Sequence, residues 1–391
     1  MDKKIILRQN EEDRLVNGHQ WGFSNEIKEI SGAPAAGEVV EAYTSSGGYV
    51  GTGFYNPKSL IAFRLLTRER MPIDAAFWRI RLAKALEYRR MLYPGAESFR
   101  AVFGESDGMP GLIVDKYGGY LSVQMLSAGL EARRADVLVA LNEVFAPKGV
   151  IARNDSGLRA LEGLEEKIET LAGVIPEYTD IVENGLTFRV NLMAGQKTGF
   201  FFDQRENRMA AAGYCAGKTV LDCYAHTGAF AMYALKAGAA AVTAVDSSKT
   251  ALAMAEQNAR LNGFEGRFSV EDADAEKFME EQANAKTRFD VVMIDPPGLI
   301  KSKKFAQAGS RLYKKLNAQA LRLVKPGGLL VTSSCSHHLS PKDFRTMIEE
   351  ACAKTGRMCW LIEQRTQAKD HPILLSMPET EYLKCAIIRV Q

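Results

Sequence analysis

The sequence lacks the long apolar stretches of a membrane protein, because no uncharged apolar run reaches the ~18 residues needed to span a bilayer. It also lacks a large excess of either charge: 50 Lys and Arg stand against 47 Asp and Glu, a net charge of +3. The first residues, MDKKIILRQNEEDR, lack the apolar core of a signal peptide. These absences predict a cytoplasmic protein with no membrane partner. A nucleic-acid partner must therefore be argued from local charge.

Paired metal-ligand motifs are missing as well. The six cysteines lie between positions 215 and 385 without Cys-x-x-Cys spacing, and the chain has five histidines. This usage predicts reduced thiols rather than a disulfide framework, and no metal site. What the chain does have, 46% hydrophobic and 25% charged residues over 391 positions, is typical of a globular protein with two or three domains.

The pattern of residues changes twice along the chain. Residues 1–70 show short apolar segments separated by turn residues, which predicts a small β-barrel with strands that include 38–43 and 49–55. Residues 71–192 combine helical spacing over 74–92 and 130–145 with strands and an Asn184-Gly185 hairpin, which predicts an α+β domain. In 193–391 strands and helices alternate. This predicts an α/β fold with a doubly wound parallel sheet that finishes in an antiparallel edge.

Acidic residues follow the first three predicted strands of this α/β domain. Asp222 precedes a turn of mostly small residues, Asp246 ends the second strand and Asp274 follows the third. The glycine fingerprint GxGxxG is absent, which argues against a dinucleotide-dependent oxidoreductase. An acid in the turn suits a cofactor with a positive centre and an amino group, and Asp246 suits ribose hydroxyls. Although each acid alone could be a helix N-cap, together they predict an S-adenosylmethionine site.

The segment FDVVMIDPP at 289–297 has the character of a buried strand that ends in an acid and two prolines. Proline fixes φ and has no N–H donor, so Pro296 and Pro297 would form a rigid pocket floor. The carboxylate of Asp295 could there meet the polar edge of a planar substrate. The alternative is a stiff loop with a capping acid.

Cys335 follows the fifth predicted strand, beside the strand that ends in Asp295, and is the candidate nucleophile. A thiolate rather than a thiol attacks, so nearby cations are needed. Residues 299–345 hold ten Lys or Arg against one acid, Asp343. Such a run can be ordinary solvated surface, but around a reaction mouth it favours a polyanionic substrate. The other five cysteines are expected in the core, and His337 and His338 in a polar loop.

Motifs along the whole chain resemble those of a family of bacterial 23S ribosomal RNA methyltransferases that form 5-methylcytosine from S-adenosylmethionine. They are GHQWGFS at 18–24, GQKTGFFFDQRENR at 195–208, DPP at 295–297, KSKK at 301–304, YK at 313–314, LN at 316–317, KPGG at 325–328, SCS at 334–336, DHP at 370–372, PE at 378–379 and YLK at 382–384. The resemblance implies a PUA-like RNA-binding domain over 1–70, a central α+β domain over 71–192 and a class I methyltransferase domain over 193–391.

The resemblance also implies a role for individual residues. Asp222, Asp246 and Asp274 would hold the methionine, ribose and adenine parts of the cofactor, with Asp272 as a competing choice for adenine. The other implied cofactor contacts are Gln204, Arg205, Tyr224, Gly228 and Phe230. Cys335 would add to C6 of cytosine while Asp295 binds the base. The implied substrate contacts are Pro296, Pro297, Lys301, Lys303 and Lys304.

Two departures from the family pattern stand out, and both exchange one small residue for another. Gly228-Ala229-Phe230 replaces the commoner Gly-Gly-Phe, and Gly298 replaces the usual Ala. The sequence assigns His226 no role. The alternatives are a guanine N-methyltransferase of ribosomal RNA, disfavoured because Gly298 stands where an aromatic ring is common, and a catalytically silent assembly factor. The expected partner is 23S RNA, in the large subunit or its assembly intermediate, and a homodimer is left open.

Overall fold

The structure is a computed structural model that describes residues 3–195, 198–300 and 302–391, with the backbone alone at Lys303. The chain forms two compact units. The first comprises Met1–Ile181, Val190–Phe202 and Lys369–Thr380, and the second comprises Val182–Arg189, Asp203–Ala368 and Glu381–Gln391. No helix in the described part of the chain has the length and apolar character needed to cross a bilayer.

The first unit begins with a six-stranded sheet. Its strands are β1 (Lys4–Leu7), β2 (Trp21–Gly22), β3 (Ile27–Ser31), β4 (Glu38–Tyr43), β5 (Tyr49–Tyr55) and β6 (Phe63–Thr67), and a short helix α1 (Asp13–Val16) follows β1. The strand order is β2-β6-β5-β4-β1-β3. Buried apolar side chains from these strands fill a core around Leu15. The predicted strands at 38–43 and 49–55 are confirmed with the same bounds.

A five-stranded sheet with helices follows in the same unit. Its elements are α2 (Ala75–Leu92), β7 (Ser98–Phe103), β8 (Leu112–Tyr117), β9 (Tyr120–Met125), α3 (Ala128–Ala132), α4 (Arg134–Phe145), β10 (Gly149–Asn154) and β11 (Lys167–Gly173), with strand order β11-β10-β9-β8-β7. The Asp74 carboxylate accepts a hydrogen bond from Phe77 N at 3.1 Å and so caps α2. The single helix predicted over 130–145 breaks at Arg133, and the sequence missed β11.

The two sheets of the first unit share apolar contacts. Phe54 of β5 stacks on Trp78 of α2 with ring centroids 6.2 Å apart. A Cβ on Gly129 would lie 2.0 Å from the Phe54 ring, so only glycine permits this approach. The domain boundaries at 70 and 192 stay predictions.

The predicted hairpin at Asn184-Gly185 is present as β12 (Thr179–Glu183) and β13 (Leu186–Val190). Both turn residues have positive φ, 51° and 73°, as a two-residue hairpin turn requires. Glu183 is buried and accepts hydrogen bonds from Arg205 Nε at 3.0 Å, Arg208 Nη2 at 2.6 Å and the Tyr233 hydroxyl at 2.8 Å. These bonds anchor the hairpin turn within the second unit.

The second unit is built on a seven-stranded sheet with helices. Its strands are β14 (Thr219–Cys223), β15 (Ala241–Asp246), β16 (Phe268–Asp272), β17 (Phe289–Ile294), β18 (Val324–Ser334), β19 (Cys359–Arg365) and β20 (Lys384–Val390). Its helices are α5 (Arg205–Ala212), α6 (Ala229–Lys236), α7 (Lys249–Leu261), α8 (Ala275–Asn284), α9 (Ala306–Leu323) and α10 (Pro341–Thr355). The predicted α/β sheet is confirmed.

The strand order of this sheet is β16-β15-β14-β17-β18-β20-β19. Strand β20 is antiparallel to both neighbours, while β14 to β18 are parallel. The predicted antiparallel edge is therefore confirmed: β19 forms the edge and β20 lies inside the sheet. Burial gives the reason: β20 is buried at almost every residue, whereas β19 exposes Leu361 and Ile362.

Candidate active site

The carboxyl ends of β14, β15, β17 and β18 meet at one edge of the sheet, where ligands bind in open α/β folds. Asp222, near the end of β14, is 2% exposed, and its Oδ2 accepts a hydrogen bond from Ala231 N at 3.1 Å in the first turn of α6. Burial raises the pKa of Asp222 to about 8; the Ala231 hydrogen bond opposes the rise, and the charges of Asp295 and Asp246 add to it. A cation beside this carboxylate would compensate for its burial.

The turn after β14 has an unusual backbone. Tyr224 and His226 have positive φ values of 63° and 50°, a conformation that costs free energy for residues other than glycine. Two hydrogen bonds hold the turn: His226 N donates to Asp246 Oδ2 at 2.9 Å, and Asn258 Nδ2 donates to Thr227 O at 3.0 Å. The backbone of His226 thus connects the ends of β14 and β15. The sequence missed both this link and the role of Asn258.

Gly228 ends this turn and precedes α6. Its φ is +76°, and a Cβ there would lie 3.0 Å from the Cβ of Ala255 on α7. Phe230 is 8% exposed, Ala229 starts the helix and Tyr224 is half-buried, with the pKa of its phenol raised by burial. The turn therefore depends on glycine at 228, whereas the departure at 229 falls inside regular helix.

Asp246 links two loops at this edge. Its Oδ2 accepts from His226 N and its Oδ1 accepts from Ser248 N, both at 2.9 Å. Each carboxylate oxygen has two acceptor positions, so these bonds orient the group and leave capacity for hydroxyl donors. A buried acid next to an oriented acid fits the cationic methionine part and the ribose of S-adenosylmethionine. When bound, that cofactor supplies an electrophilic methyl group.

The residues predicted for the adenine part lie at the carboxyl end of β16: Asp272 is its last residue and Asp274 follows two positions later. Asp274 is exposed and caps α8 by accepting from Lys277 N at 3.0 Å. Asp272 is also exposed, and its Oδ2 lies 3.3 Å from Lys249 Nζ. The structure places both acids at the carboxyl end of the same strand, and the choice of Asp274 stays a prediction.

Gln204 contacts the base-binding candidate. Its Nε2 donates to Asp295 Oδ2 at 3.0 Å, and its Oε1 accepts from Asn207 Nδ2 at 2.7 Å. Asn207 Oδ1 in turn accepts from Arg365 Nε at 3.1 Å. Because arginine can only donate, the oxygen of Asn207 must face Arg365, and the NH2 groups of Asn207 and Gln204 must then face Gln204 and Asp295. Arg205 instead forms the buried ion pair with Glu183. The cofactor roles implied for Gln204 and Arg205 stay predictions.

Cys335 follows β18 and is half-buried. A Cβ on Gly298 would lie 3.6 Å from Cys335 Sγ, so the loop after β17 runs directly past the thiol. That distance is an ordinary van der Waals contact, and the alanine usual in the related family would fit. Pro296 is buried and Pro297 is exposed, and the two prolines directly precede Gly298 in this loop.

Hydrogen bonds tie the Asp295 and Cys335 loops together. Ser336 Oγ accepts from Ile300 N at 3.1 Å and lies 3.0 Å from the Tyr313 hydroxyl. Tyr313, 0% exposed, also reaches Pro297 O at 3.4 Å. The sequence contains Tyr313 and Ser336 within motifs but shows no role for them. They lie 23 residues apart, and only the fold reveals the contact.

The basic run is less concentrated at the site than its sequence indicates. Lys314 pairs with Glu350 at 2.8 Å, Lys315 pairs with Glu276, and Lys325 pairs with Asp290 at 3.0 Å. Lys325 and Asp290 lie at the starts of their strands, opposite the edge that carries Cys335. Lys325 therefore lies away from the mouth that the basic run was expected to bracket. Lys304 is exposed; Lys301 and the side chain of Lys303 lie outside the described residues.

Comparison with known proteins agrees with this geometry. The family model of S-adenosylmethionine-dependent methyltransferases matches residues 160–374, and that of PUA-like domains matches residues 5–68. Ribosomal RNA large subunit methyltransferase I of Klebsiella pneumoniae strain 342 is 36% identical over 99% of this chain and 98% of its own length. Its counterpart in Vibrio cholerae serotype O1 is 37% identical over 98% of each chain.

Two solved structures share the fold over 100% of both chains at 22% sequence identity. One is a methyltransferase complexed with SAH, with a TM-score of 0.87. The other is a SAM-dependent methyltransferase from Streptococcus mutans, with a TM-score of 0.85. At this level of identity the likeness concerns the fold alone.

Proposed function

Since this chain belongs to the family of ribosomal RNA large subunit methyltransferase I, with an S-adenosylmethionine-dependent methyltransferase domain and a PUA-like domain, we propose that it methylates C5 of a cytosine in large-subunit ribosomal RNA, with Cys335 as the nucleophile. The observation that supports this proposal is the approach of the Asp295-Pro296-Pro297-Gly298 loop to the Cys335 thiol. A thiol and a carboxylate on two loops that touch are the pair that this chemistry needs.

The reaction requires covalent activation because C5 of cytosine is a poor nucleophile. The Cys335 thiolate adds to C6, and the electron pair of the C5–C6 double bond becomes available at C5 for attack on the methyl group. The C5 proton then leaves to a base, and elimination of the thiolate restores the double bond. Since the thiolate approaches the face of the ring, the target base must be unpaired or flipped out of a helix.

Asp295 acts on the polar edge of the base in this proposal. Its carboxyl group binds the N3 and exocyclic amino edge of the base, and in its protonated form it donates a hydrogen bond to N3, which stabilises the negative charge that develops in the ring during the addition. The amide of Gln204 holds the carboxylate in one orientation. Pro296 and Pro297 keep its loop rigid, so the base meets a preformed wall.

The cofactor in this proposal lies along the ends of β14, β15 and β16. Asp222 faces its positively charged methionine part and Asp246 its ribose hydroxyls. The remaining cofactor contacts are Gln204, Arg205, Tyr224, Gly228, Phe230 and Asp274. The exposed Lys304 contacts RNA phosphates, and so do Lys301 and Lys303 as the family resemblance implies.

Trapping the adduct tests this function. Ribosomal RNA that contains 5-fluorocytosine is incubated with the protein and S-adenosylmethionine, and we expect a covalent bond at Cys335, because fluorine cannot leave as a cation. Cys335→Ala should form no adduct. Cys352→Ala, which removes a half-buried thiol on α10, should form as much adduct as the wild type. Peptide mass spectrometry locates the bond.

The same experiment separates the alternatives. Guanine N-methylation gives methylated RNA, no adduct and nearly normal activity in Cys335→Ala. A silent binding factor gives neither adduct nor methylated RNA. Nucleoside mass spectrometry of ribosomal RNA from cells with and without the gene should show 5-methylcytosine only in the former; its presence in both would contradict the proposal.

A further inference from the structure

A buried lysine lies beside the Cys335 loop. Lys384 is 3% exposed and is the first residue of β20, where it pairs with Ser334 of β18, the residue before Cys335. Its Nζ donates to Ser336 O at 2.6 Å and to Tyr382 O at 2.7 Å. The ammonium group thus holds the backbone immediately after the candidate nucleophile.

Both recorded acceptors of Lys384 are neutral carbonyl oxygens. Among the described residues, no carboxylate lies within ion-pair distance of its ammonium group. A buried cation without an anionic partner is costly, and proteins normally pair such charges. Cys335 is the candidate for that anion, because Lys384 contacts both of its chain neighbours: it pairs with Ser334 and donates to Ser336 O.

The neighbouring charged and titratable groups agree with this pairing. Burial lowers the pKa of Lys384 to about 8, while the charges of Cys335 and then Glu381 act in the opposite direction. Tyr382, two residues before Lys384, stacks on His337, two residues after Cys335, with ring centroids 5.3 Å apart. If the Cys335 thiolate and the Lys384 ammonium lie together, each charge stabilises the other.

We propose that Lys384 is a positioning residue that holds the Cys335 loop and serves as the buried cation next to its thiolate. By this arrangement the thiol loses its proton more readily than an ordinary cysteine, whose pKa is near 8.5. Lys384 itself transfers no proton to the substrate. The inference rests on the proposed function for its catalytic meaning, but the thiol's titration can be measured without RNA.

Alkylation kinetics test the proposal. The rate at which iodoacetamide modifies Cys335 is followed from pH 5.5 to 10 by peptide mass spectrometry, which separates it from the other five cysteines. We expect a wild-type midpoint below ~8.5 and a rise by at least ~1 pH unit in Lys384→Met, which keeps the length but removes the charge. Lys384→Arg should keep most of the shift. Lys325→Met, a matched change at the other end of β18, should leave the midpoint unchanged.

The reciprocal experiment covers the case in which Lys384→Met does not fold. In Cys335→Ser the thiolate is absent, so the amine of Lys384 should titrate at a lower pH than in the wild type. Competitive labelling with acetic anhydride across the same pH range measures this shift. An unchanged Cys335 midpoint in folded Lys384→Met, or an unchanged Lys384 titration in Cys335→Ser, would overturn the inference. A shifted midpoint without a 5-fluorocytosine adduct would instead reject the proposed function alone.

Discussion

At the scale of single residues, Asp222 binds a proton more readily in the folded chain than in the unfolded one, because burial raises its pKa to about 8. Its contribution favours folding at low pH and is lost as the pH rises from about 4 to about 8. A bound cation would reverse this penalty. Without a ligand, the ionised carboxylate of Asp222 therefore lowers the stability of the folded protein. Binding of a positively charged ligand beside it removes this cost.

Replacing Asp222 with Asn tests this balance. Near pH 8 the variant without cofactor should unfold at a higher temperature than the wild type, by ~4 °C or more, and at pH 5 the difference should shrink. Its affinity for S-adenosylmethionine should fall by at least ~10-fold, because a charge-assisted contact is lost. Thermal unfolding and calorimetric titration measure the two effects. A variant no more stable than the wild type at pH 8 would contradict this account.

At the scale of elements, β17 and β18 each present one active-site loop, and α9 joins them through Tyr313. The hydrogen bonds of Ser336 to Ile300 N and to the Tyr313 hydroxyl set how closely the two loops approach. Both side chains are buried, so removal of either hydroxyl takes away the Tyr313–Ser336 hydrogen bond and leaves the other group with its bonds to the loop backbone. The loops should therefore behave as one coupled unit.

A double-mutant cycle measures that coupling. Tyr313→Phe and Ser336→Ala should each lower the free energy of unfolding by ~1–2 kcal/mol, and the double variant should lose less than the sum. Both changes should slow 5-fluorocytosine adduct formation at Cys335 while the affinity for S-adenosylmethionine stays the same. Strictly additive losses in the unfolding experiment would show that the two hydroxyls do not cooperate.

At the scale of the whole molecule, the charge that matters is the charge left after internal pairing. Lys314, Lys315 and Lys325 have carboxylate partners, whereas Lys304 and Lys342 are exposed near the starts of α9 and α10. Those starts follow the strand ends that carry Asp295 and Cys335. RNA phosphates should therefore meet Lys304 and Lys342.

Salt dependence of RNA binding tests this assignment. The double change Lys304→Ala and Lys342→Ala should weaken binding of a ribosomal RNA fragment and flatten the log–log salt slope by up to ~2. Lys325→Ala is the matched control and should leave the slope unaltered. Fluorescence anisotropy between 50 and 200 mM salt provides the measurement, and cofactor affinity should stay constant in all variants. Equal slopes for both sets would move the RNA contact away from this edge.

Parts of the fold and site were predictable because their signals are local. The turn at Asn184-Gly185 and the strands at 38–43 and 49–55 follow from a few adjacent residues. The acids Asp222, Asp246 and Asp295 stand out because each ends or follows an apolar strand. The position of β20 inside the sheet was not predictable, since it depends on which of two late strands is buried on both faces.

By itself the sequence determined most of the elements, the acids at the strand ends, the Asp295-Pro296-Pro297 loop and the position of Cys335 after a strand, because periodicity and turn chemistry act over a few neighbouring residues. Only the tertiary structure decided which distant groups meet. Gln204 reaches Asp295 across 91 positions and Lys384 reaches Ser336 across 48. Burial, ion pairing and the resulting pKa values depend on those contacts, because they arise from neighbours in space rather than along the chain.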